Sequence, residues 1–397
     1  MHKSLRFLWI VPVALHSYLA HACSQAEISK SNDGAPTAQI QPDLQFIGHT
    51  SPAWPSDISA DSKRVISSSR DETARVWTIE GDLLAVHGGH SGVRFASLSP
   101  DGDRVVTSRG LWRLDGELKT LGSEWITSAT FSPDGTRIVA CLADGTVTLS
   151  DILGNQITTL QGHTEFVHAA RFSPDGSRFV TASDDGTARV WDINGGVVAV
   201  LQHPGGMYYA GFSPDGSRIT TDSSESVRLW DGDGNAIAVL PGARRWGRKG
   251  RFSSDGSRFV TTTLDQTAVV WDRDGNQLAV LVGHEGGVWE ARLSQDGTRI
   301  LTTSEDGTAR LWDQGGGLIA VLDGHKGVPH VVFSPDEWLI VTSSQAGQAR
   351  LWDRDGTLIA LLGDSGDSVS GAMFSPDGRY IFAGSGSMNI HRYSVPE

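Results

Sequence analysis

Asp231, Asp233 and Asn235 stand at alternate positions between glycines, the donor pattern by which carboxylate and amide oxygens converge on a calcium ion. Such a loop closes on a bidentate Glu at its twelfth position, which here is Gly242, so the segment reads as a hairpin turn. Gly-His pairs, such as those at His49, His163 and His284, recur no closer than about forty residues apart. Separations this long give each imidazole its own structural unit and exclude the close ligand spacing of a zinc site. The glycines read as hairpin-turn residues, and none forms a phosphate-cradling loop ahead of a helix. No metal and no cofactor is expected. One segment does carry binding chemistry: Ala243-Arg244-Arg245-Trp246-Gly247-Arg248-Lys249-Gly250-Arg251, a basic cluster around an indole in a chain with formal net charge −13. Arg244, Arg245, Trp246 and Arg248 are candidates for contact with an anionic or aromatic partner. The alternative is a solvated loop whose arginines pair with nearby acidic turns.

The elements that must position these residues are short and repeated. Runs rich in Val, Ile, Thr and aromatics, such as Arg178-Phe179-Val180-Thr181-Ala182 and Thr187-Ala188-Arg189-Val190-Trp191, read as strands. Asp175-Gly176, Asp185-Gly186 and Asp274-Gly275-Asn276 supply the positive φ values of tight hairpin turns. No helical period interrupts them. A Ser-Pro-Asp-Gly turn or a decayed form of it begins at Ser59, Ser99, Ser132, Ser173, Ser213, Ser253, Ser294, Ser334 and Ser375. That rhythm, about forty residues long, marks stacked copies of one unit. Each unit is a four-stranded antiparallel meander, and such sheets bury both faces only when arranged radially.

The Gly-His, Ser-Pro-Asp-Gly and Trp-Asp signals, complete in Gly162-His163 through Val190-Trp191-Asp192 and nearly so in Gly283-His284 through Leu311-Trp312-Asp313, resemble the WD-repeat family over almost everything after residue 44. The expected fold is all-β: a single closed β-propeller of nine repeat units. Unit two is short, and its collapse onto a neighbour would leave eight blades. The last unit runs out near Met388–Tyr393, while Leu44-Gln45-Phe46 has the sequence of a fourth strand with no sheet before it. Pairing of the two ends is therefore expected to close the ring. The resemblance further implies buried hydrogen-bonded tetrads: His49, Ser69, Asp71, Trp77; His163, Ser183, Asp185, Trp191; and His284, Ser304, Asp306, Trp312. Their repetition assigns them to the scaffold rather than to catalysis.

Bulky residues that vary in type lead into the first strands: Trp54, Trp125, Phe166, Tyr208 and Trp289. The last first-strand position is instead held at Phe or Leu, as in Phe131, Phe172, Phe212, Leu293 and Phe333, and must be core. Variation among copies in one chain marks positions freed from shared packing, so the five are candidates for a partner-binding ring at the channel mouth, with ordinary packing of the channel wall as the alternative.

The N-terminus obeys different rules. Lys3 and Arg6 precede an apolar run from Phe7 to Leu15, and Ala20-His21-Ala22 precedes Cys23, so residues 1–22 read as a signal peptide. Cys23 is a lipidation candidate because its position resembles the bacterial lipoprotein signal; plain secretion is the alternative. Residues 23–43 read as a flexible tether and 44–397 as the propeller. Loss of Lys3 and Arg6 takes the charge from −13 to −15, a balance that disfavours nucleic acid. The expected function is a non-enzymatic, exported, monomeric scaffold that binds a protein or peptide partner on the upper face, with membrane contact only through the lipid. The alternative is an extracytoplasmic hydrolase or lyase using His168, His330, Arg94 or Arg248 at the channel mouth. No sequence spacing pairs those four into a nucleophile and base.

Overall fold

Second-strand segments such as Arg178–Ser183 and Arg299–Ser304 are buried on both faces, hydroxyls included, a pattern only a strand inside a sandwiched sheet can hold. Fourth-strand segments such as Val197–Gln202 are largely exposed, as befits an outer rim. The computed structural model describes residues 38–88, 95–122, 125–223, 225–240, 251–263, 265–325, 327, 330–344, 347–363, 369–385 and 388–396. Nine sheets form a ring, each a blade of four antiparallel strands, with no helix among the described residues. First strands of successive blades lie side by side along the axis; Thr127 Oγ1 of blade 3, for example, donates to the Val167 carbonyl of blade 4 at 3.0 Å.

Blade 2 is a sheet in its own right: Ala96–Leu98, Arg104–Thr107, Gly110–Arg113 and Leu118–Lys119. Its missing turn is replaced by a tight hairpin in which Thr107 pairs with Gly110. Gly110 has φ 152°, and a Cβ there would strike the Lys119 carbonyl, so only glycine allows the shortcut. Nine blades, not eight, follow.

Between every two neighbouring blades lies one apolar cluster. Leu98, Val105 and Trp112 of blade 2 meet Ile66 and Val76 of blade 1, and Met207, Ala210 and Ile219 of blade 5 meet Val180 and Val190 of blade 4. Phe172, Phe212, Leu293 and Phe333 pack against these clusters.

Closure works through blade 9. Leu44, Gln45 and Phe46 pair antiparallel with Arg392, His391 and Ile390. Phe46 is fully buried among Val65, Trp77, Phe382 and Ile390, edge-on to Trp77 at 5.6 Å. Arg392 Nε donates to Asp43 Oδ1 at 2.8 Å and its Nη1 to the Ile79 carbonyl at 2.6 Å, tying blade 9 to blade 1.

The tether expected over 23–43 is corrected at its end: Ala38–Ile40 is a strand, pairing parallel with Ala360–Leu362 on the outer edge of blade 8. Ile40 packs on the cluster containing Ala360 and Leu362, and the Gly363 N–H donates to the Ile40 carbonyl at 3.0 Å.

Replacing Phe46 with Ala should therefore cost about 3–5 kcal/mol, the range for emptying a well-packed aromatic site. Gln45→Ala, on the exposed side of the same strand, should stay within about 0.5 kcal/mol of wild type. Urea unfolding checks both, and equal small losses would show that the closing strand carries no core.

Candidate functional site

Each blade presents its Ser-Pro-Asp-Gly turn on the lower face and the turn between its second and third strands on the upper face. On the upper face three blades line up carboxylate, imidazole, hydroxyl and indole. His49 Nδ1 lies 2.8 Å from Asp71 Oδ2, His49 Nε2 lies 2.8 Å from Ser67 Oγ, and Trp77 Nε1–H donates to that Oγ at 2.9 Å. His163 repeats this with Asp185, Thr181 and Trp191, and His284 with Asp306, Thr302 and Trp312. A carboxylate can only accept, so Nδ1 carries the proton, Nε2 accepts the hydroxyl hydrogen, and the hydroxyl accepts from the indole.

The hydroxyl member is thus Ser67, Thr181 or Thr302, which corrects the assignment of Ser69, Ser183 and Ser304. Trp77 pairs with Val65, so Ser67 is the next residue on that face and Ser69 the one after, about 7 Å further along. Ser69 Oγ instead donates to the Ser51 carbonyl and accepts the Asp71 N–H, both at 3.0 Å. Ser183 and Ser304 accept the Asp185 and Asp306 N–H groups in the same way. A second-strand hydroxyl takes the indole N–H in blades 2, 5, 6 and 8 as well, through Thr107, Thr221, Thr261 and Thr342. Its recurrence opposite each Trp is the signal that would have located it.

An Asp–His–hydroxyl line has the order of an acyl-transfer triad. Here Ser67, Thr181 and Thr302 are at 0% exposure and already engaged by an indole, so no substrate reaches them. The set holds the upper turns: Asp71 also accepts the Thr50 N–H and the Thr73 hydroxyl. Burial pushes the Asp71 carboxyl up, but Thr73, Thr50 and His49 outweigh it and bring it down to about 2. Burial lowers all three imidazoles, offset in part by their aspartates. His203 and His325 make the hydroxyl bond, to Thr221 and Thr342, without a carboxylate among the described residues. Burial, with Arg228 and Arg350 adding to it, carries both down to about 4.

The bulky upper residues fall into two rows. Trp125 and Phe166 precede their strands. His168, Tyr208 and Trp289 occupy a β-bulge, the unpaired residue between Val167 and Ala169, Met207 and Tyr209, and Val288 and Glu290; blade 3 has Thr127 there. Trp54 is paired with Ser68, because the blade 1 bulge comes two residues later, at Ser56. A bulge frees one side chain from the ladder and re-aims it. In blades 4 and 5 this assembles a cluster: His168 meets Phe166 at 4.8 Å and Tyr208 at 5.1 Å, both edge-on, with His168 Nε2 2.9 Å from Asp184 Oδ1. Phe166, His168, Tyr208, Trp54 and Trp289 are half-buried and Trp125 is 45% exposed. The basic candidates Arg244, Arg245, Trp246 and Arg248, together with Arg94 and Cys23, lie outside the described residues. His330 begins the first strand of blade 8, 3.5 Å from Arg292, whose guanidinium is held by Glu290 at 2.7 Å.

The lower face is occupied by its own bonds. Each turn serine donates to the aspartate two residues on, as Ser173 does to Asp175 at 2.6 Å. Arg178, Arg218 and Arg299 reach the next blade's Asp233, Asp274 and Asp355. A groove of about 580 Å³ over blades 4 and 5 is lined by these same turn residues.

Comparison with known proteins places this geometry. The family described as "IFT122 first beta-propeller" matches residues 125–394, more than half of the chain, and "WD domain, G-beta repeat" matches 41–78. The chain is similar to a WD repeat-containing protein 26 homolog of Arabidopsis thaliana, 29% identical over 157 residues, 36% of this chain and 25% of that protein. It is also similar to the apoptotic protease-activating factor 1 of Homo sapiens, 30% identical over 115 residues, 24% of this chain and 9% of that one. The matched stretches thus span a quarter or less of either relative. The crystal structure of the computationally designed Ika8 protein superposes with TM-score 0.65 at 22% identity, over 89% of this chain and all of that one, a likeness of fold alone.

Two outcomes follow. Asp185→Ala should destabilise by about 1–3 kcal/mol by stranding a buried imidazole and two turn N–H groups, whereas Ser183→Ala should cost less because it leaves the indole bond intact. Secondly, an imidazole at about 4 in the fold and about 6.5 unfolded contributes stability that is full above pH 6.5 and lost as pH falls toward 4. Melting curves across that window should flatten in the double variant His203→Gln, His325→Gln; an unchanged slope would place the acid sensitivity elsewhere.

Proposed function

We propose, from the premise that this chain belongs to the WD-repeat β-propeller family, that it is a non-enzymatic interaction scaffold which takes a partner protein or peptide on its upper face. The fold is typical of protein–protein interaction scaffolds. The observation that carries the finer reading is the cluster of Phe166, His168 and Tyr208 beside Asp184 at the mouth of blades 4 and 5. Half-exposed aromatic faces next to a carboxylate suit a basic side chain of the partner, by cation–π contact and charge, and a formal net charge of −13 draws basic partners in the same direction. Trp125 of the neighbouring blade 3, 45% exposed, extends the apolar part of the surface. The hydroxyl of each buried tetrad is closed to substrate, which favours binding over chemistry. The chain is read as exported, monomeric and anchored through lipid on Cys23.

Phe166→Ala with Tyr208→Ala should abolish crosslinking of a specific partner in cells while leaving the melting temperature nearly unchanged, since neither side chain is in the buried core. Capture that survives the double substitution would contradict the site. Cys23→Ala should release the protein from the membrane fraction, and continued membrane association would contradict the lipid anchor.

A further inference from the structure

The N-terminal strand joins the ring from one side. In each blade the turns after the first and third strands lie on the lower face, so the fourth strand rises from the lower face to the upper. Ala38–Ile40 runs parallel to Leu358–Leu362, so it rises too, and the chain enters it from the lower side of blade 8. Side-chain and main-chain bonds fix the attachment: Gln39 Nε2 donates to the Gly363 carbonyl at 2.8 Å, and the Gly363 N–H donates to the Ile40 carbonyl at 3.0 Å.

The lower corner of that same blade departs from the other eight. The residue after the Ser-Pro-Asp-Gly turn is Lys63, Asp103 or Arg379 in three blades and Ser or Thr in five, but blade 8 has Trp338. Trp338 is 59% exposed. Arg354, in the turn between the third and fourth strands, lies over its ring at 4.7 Å, which draws the indole toward the rim that carries Ala38–Ile40. The neighbouring carboxylates are engaged within the protein. Asp336 accepts from the Ser334 hydroxyl and the Trp338 N–H, Glu337 from the N–H groups of Gln295 and Asp296, and Asp355 is paired with Arg299. An exposed indole beside a guanidinium is the pair of side chains that settles at a water–lipid boundary, with the ring toward the acyl chains and the charge among the headgroups.

We propose that the lower corner of blade 8, Trp338 with Arg354, rests on the lipid surface in which Cys23 is anchored. The proposal rests on the reading of Cys23 as lipidated. Cys23 lies 15 residues before Ala38, a span of at most about 50 Å. One indole is too little to hold a chain of formal net charge −13 on a membrane, but a short linker makes its contact intramolecular, at about millimolar effective concentration. The lower face then turns to the bilayer, and the upper face, with Phe166, His168 and Tyr208, turns away from it.

The test uses the lipidated full chain in phosphatidylcholine vesicles with a nitroxide on a fraction of the headgroups. A fluorophore is placed at Thr357→Cys, in the lower turn of blade 8, or at Glu165→Cys, on the upper face; Cys141 is buried and does not compete for the label. Quenching several-fold stronger at 357 than at 165 is expected. Trp338→Ser, which installs the residue found in blades 4, 5 and 6, should at least halve the quenching at 357 while flotation with vesicles and the melting temperature stay unchanged. Protein that floats but is quenched equally at both positions would overturn the proposal and leave the anchor standing. Quenching at 357 that Trp338→Ser does not reduce would overturn the lipid contact of the indole. Protein that does not float would overturn the anchor, and the proposal with it.

Discussion

Everything displayed on either face depends on one short pairing, Leu44–Phe46 against Ile390–Ser394. In a repeat architecture each unit touches only its neighbours, and stability is close to a sum of local terms. Nothing in eight of the interfaces obliges the ninth to form. The closing strand supplies that obligation by making the first residues of the ring the last strand of its final blade. Phe46 enters a cluster shared by blades 9 and 1, and Asp43 and Arg392 lock the seam beside it. Side chains held on separate blades keep fixed distances only in a closed ring.

Within that frame, one repeated unit solves two opposed problems. Positions common to the blades do the holding: indole on hydroxyl, imidazole between hydroxyl and carboxylate, turn serine on turn aspartate. Function needs a place where copies can differ without loss of fold. The bulge at the top of the first strand is such a place, because its residue belongs to neither the ladder nor the interblade core, and Thr127, His168, Tyr208 and Trp289 differ there accordingly. The blades around His203 and His325, where no described carboxylate meets the imidazole, keep the hydroxyl–indole pair, and burial with a nearby arginine brings these imidazoles down to about 4.

Much of this was legible in the residues. The nine turn serines, the strand runs between them and the orphan strand at Leu44 led directly to the number of blades and the manner of closure, since hairpin chemistry and period-two patterning are local signals. Errors arose where geometry across strands decides. Ser69 and Ser67 are equally plausible hydroxyls along the chain, and only the register opposite Trp77 separates them. Ala38–Ile40 is too short and mixed to announce itself as a strand, and its partner lies more than three hundred residues away. The bulges leave no sequence mark, so Trp54 looked equivalent to Tyr208 when the register of blade 1 places it differently. The interblade bonds of Arg178, Arg218 and Arg299 were likewise hidden, because each arginine's acceptor belongs to the following repeat.

The central claim is that binding occurs at the upper mouth of blades 4 and 5. The most direct measurement places a photo-crosslinking amino acid at position 166 or, for comparison, at position 177 on the lower face, and irradiates cells expressing each form. Partner crosslinks from position 166 and none from 177 are predicted. Crosslinks from 177 alone would put the partner on the lower face and contradict the account.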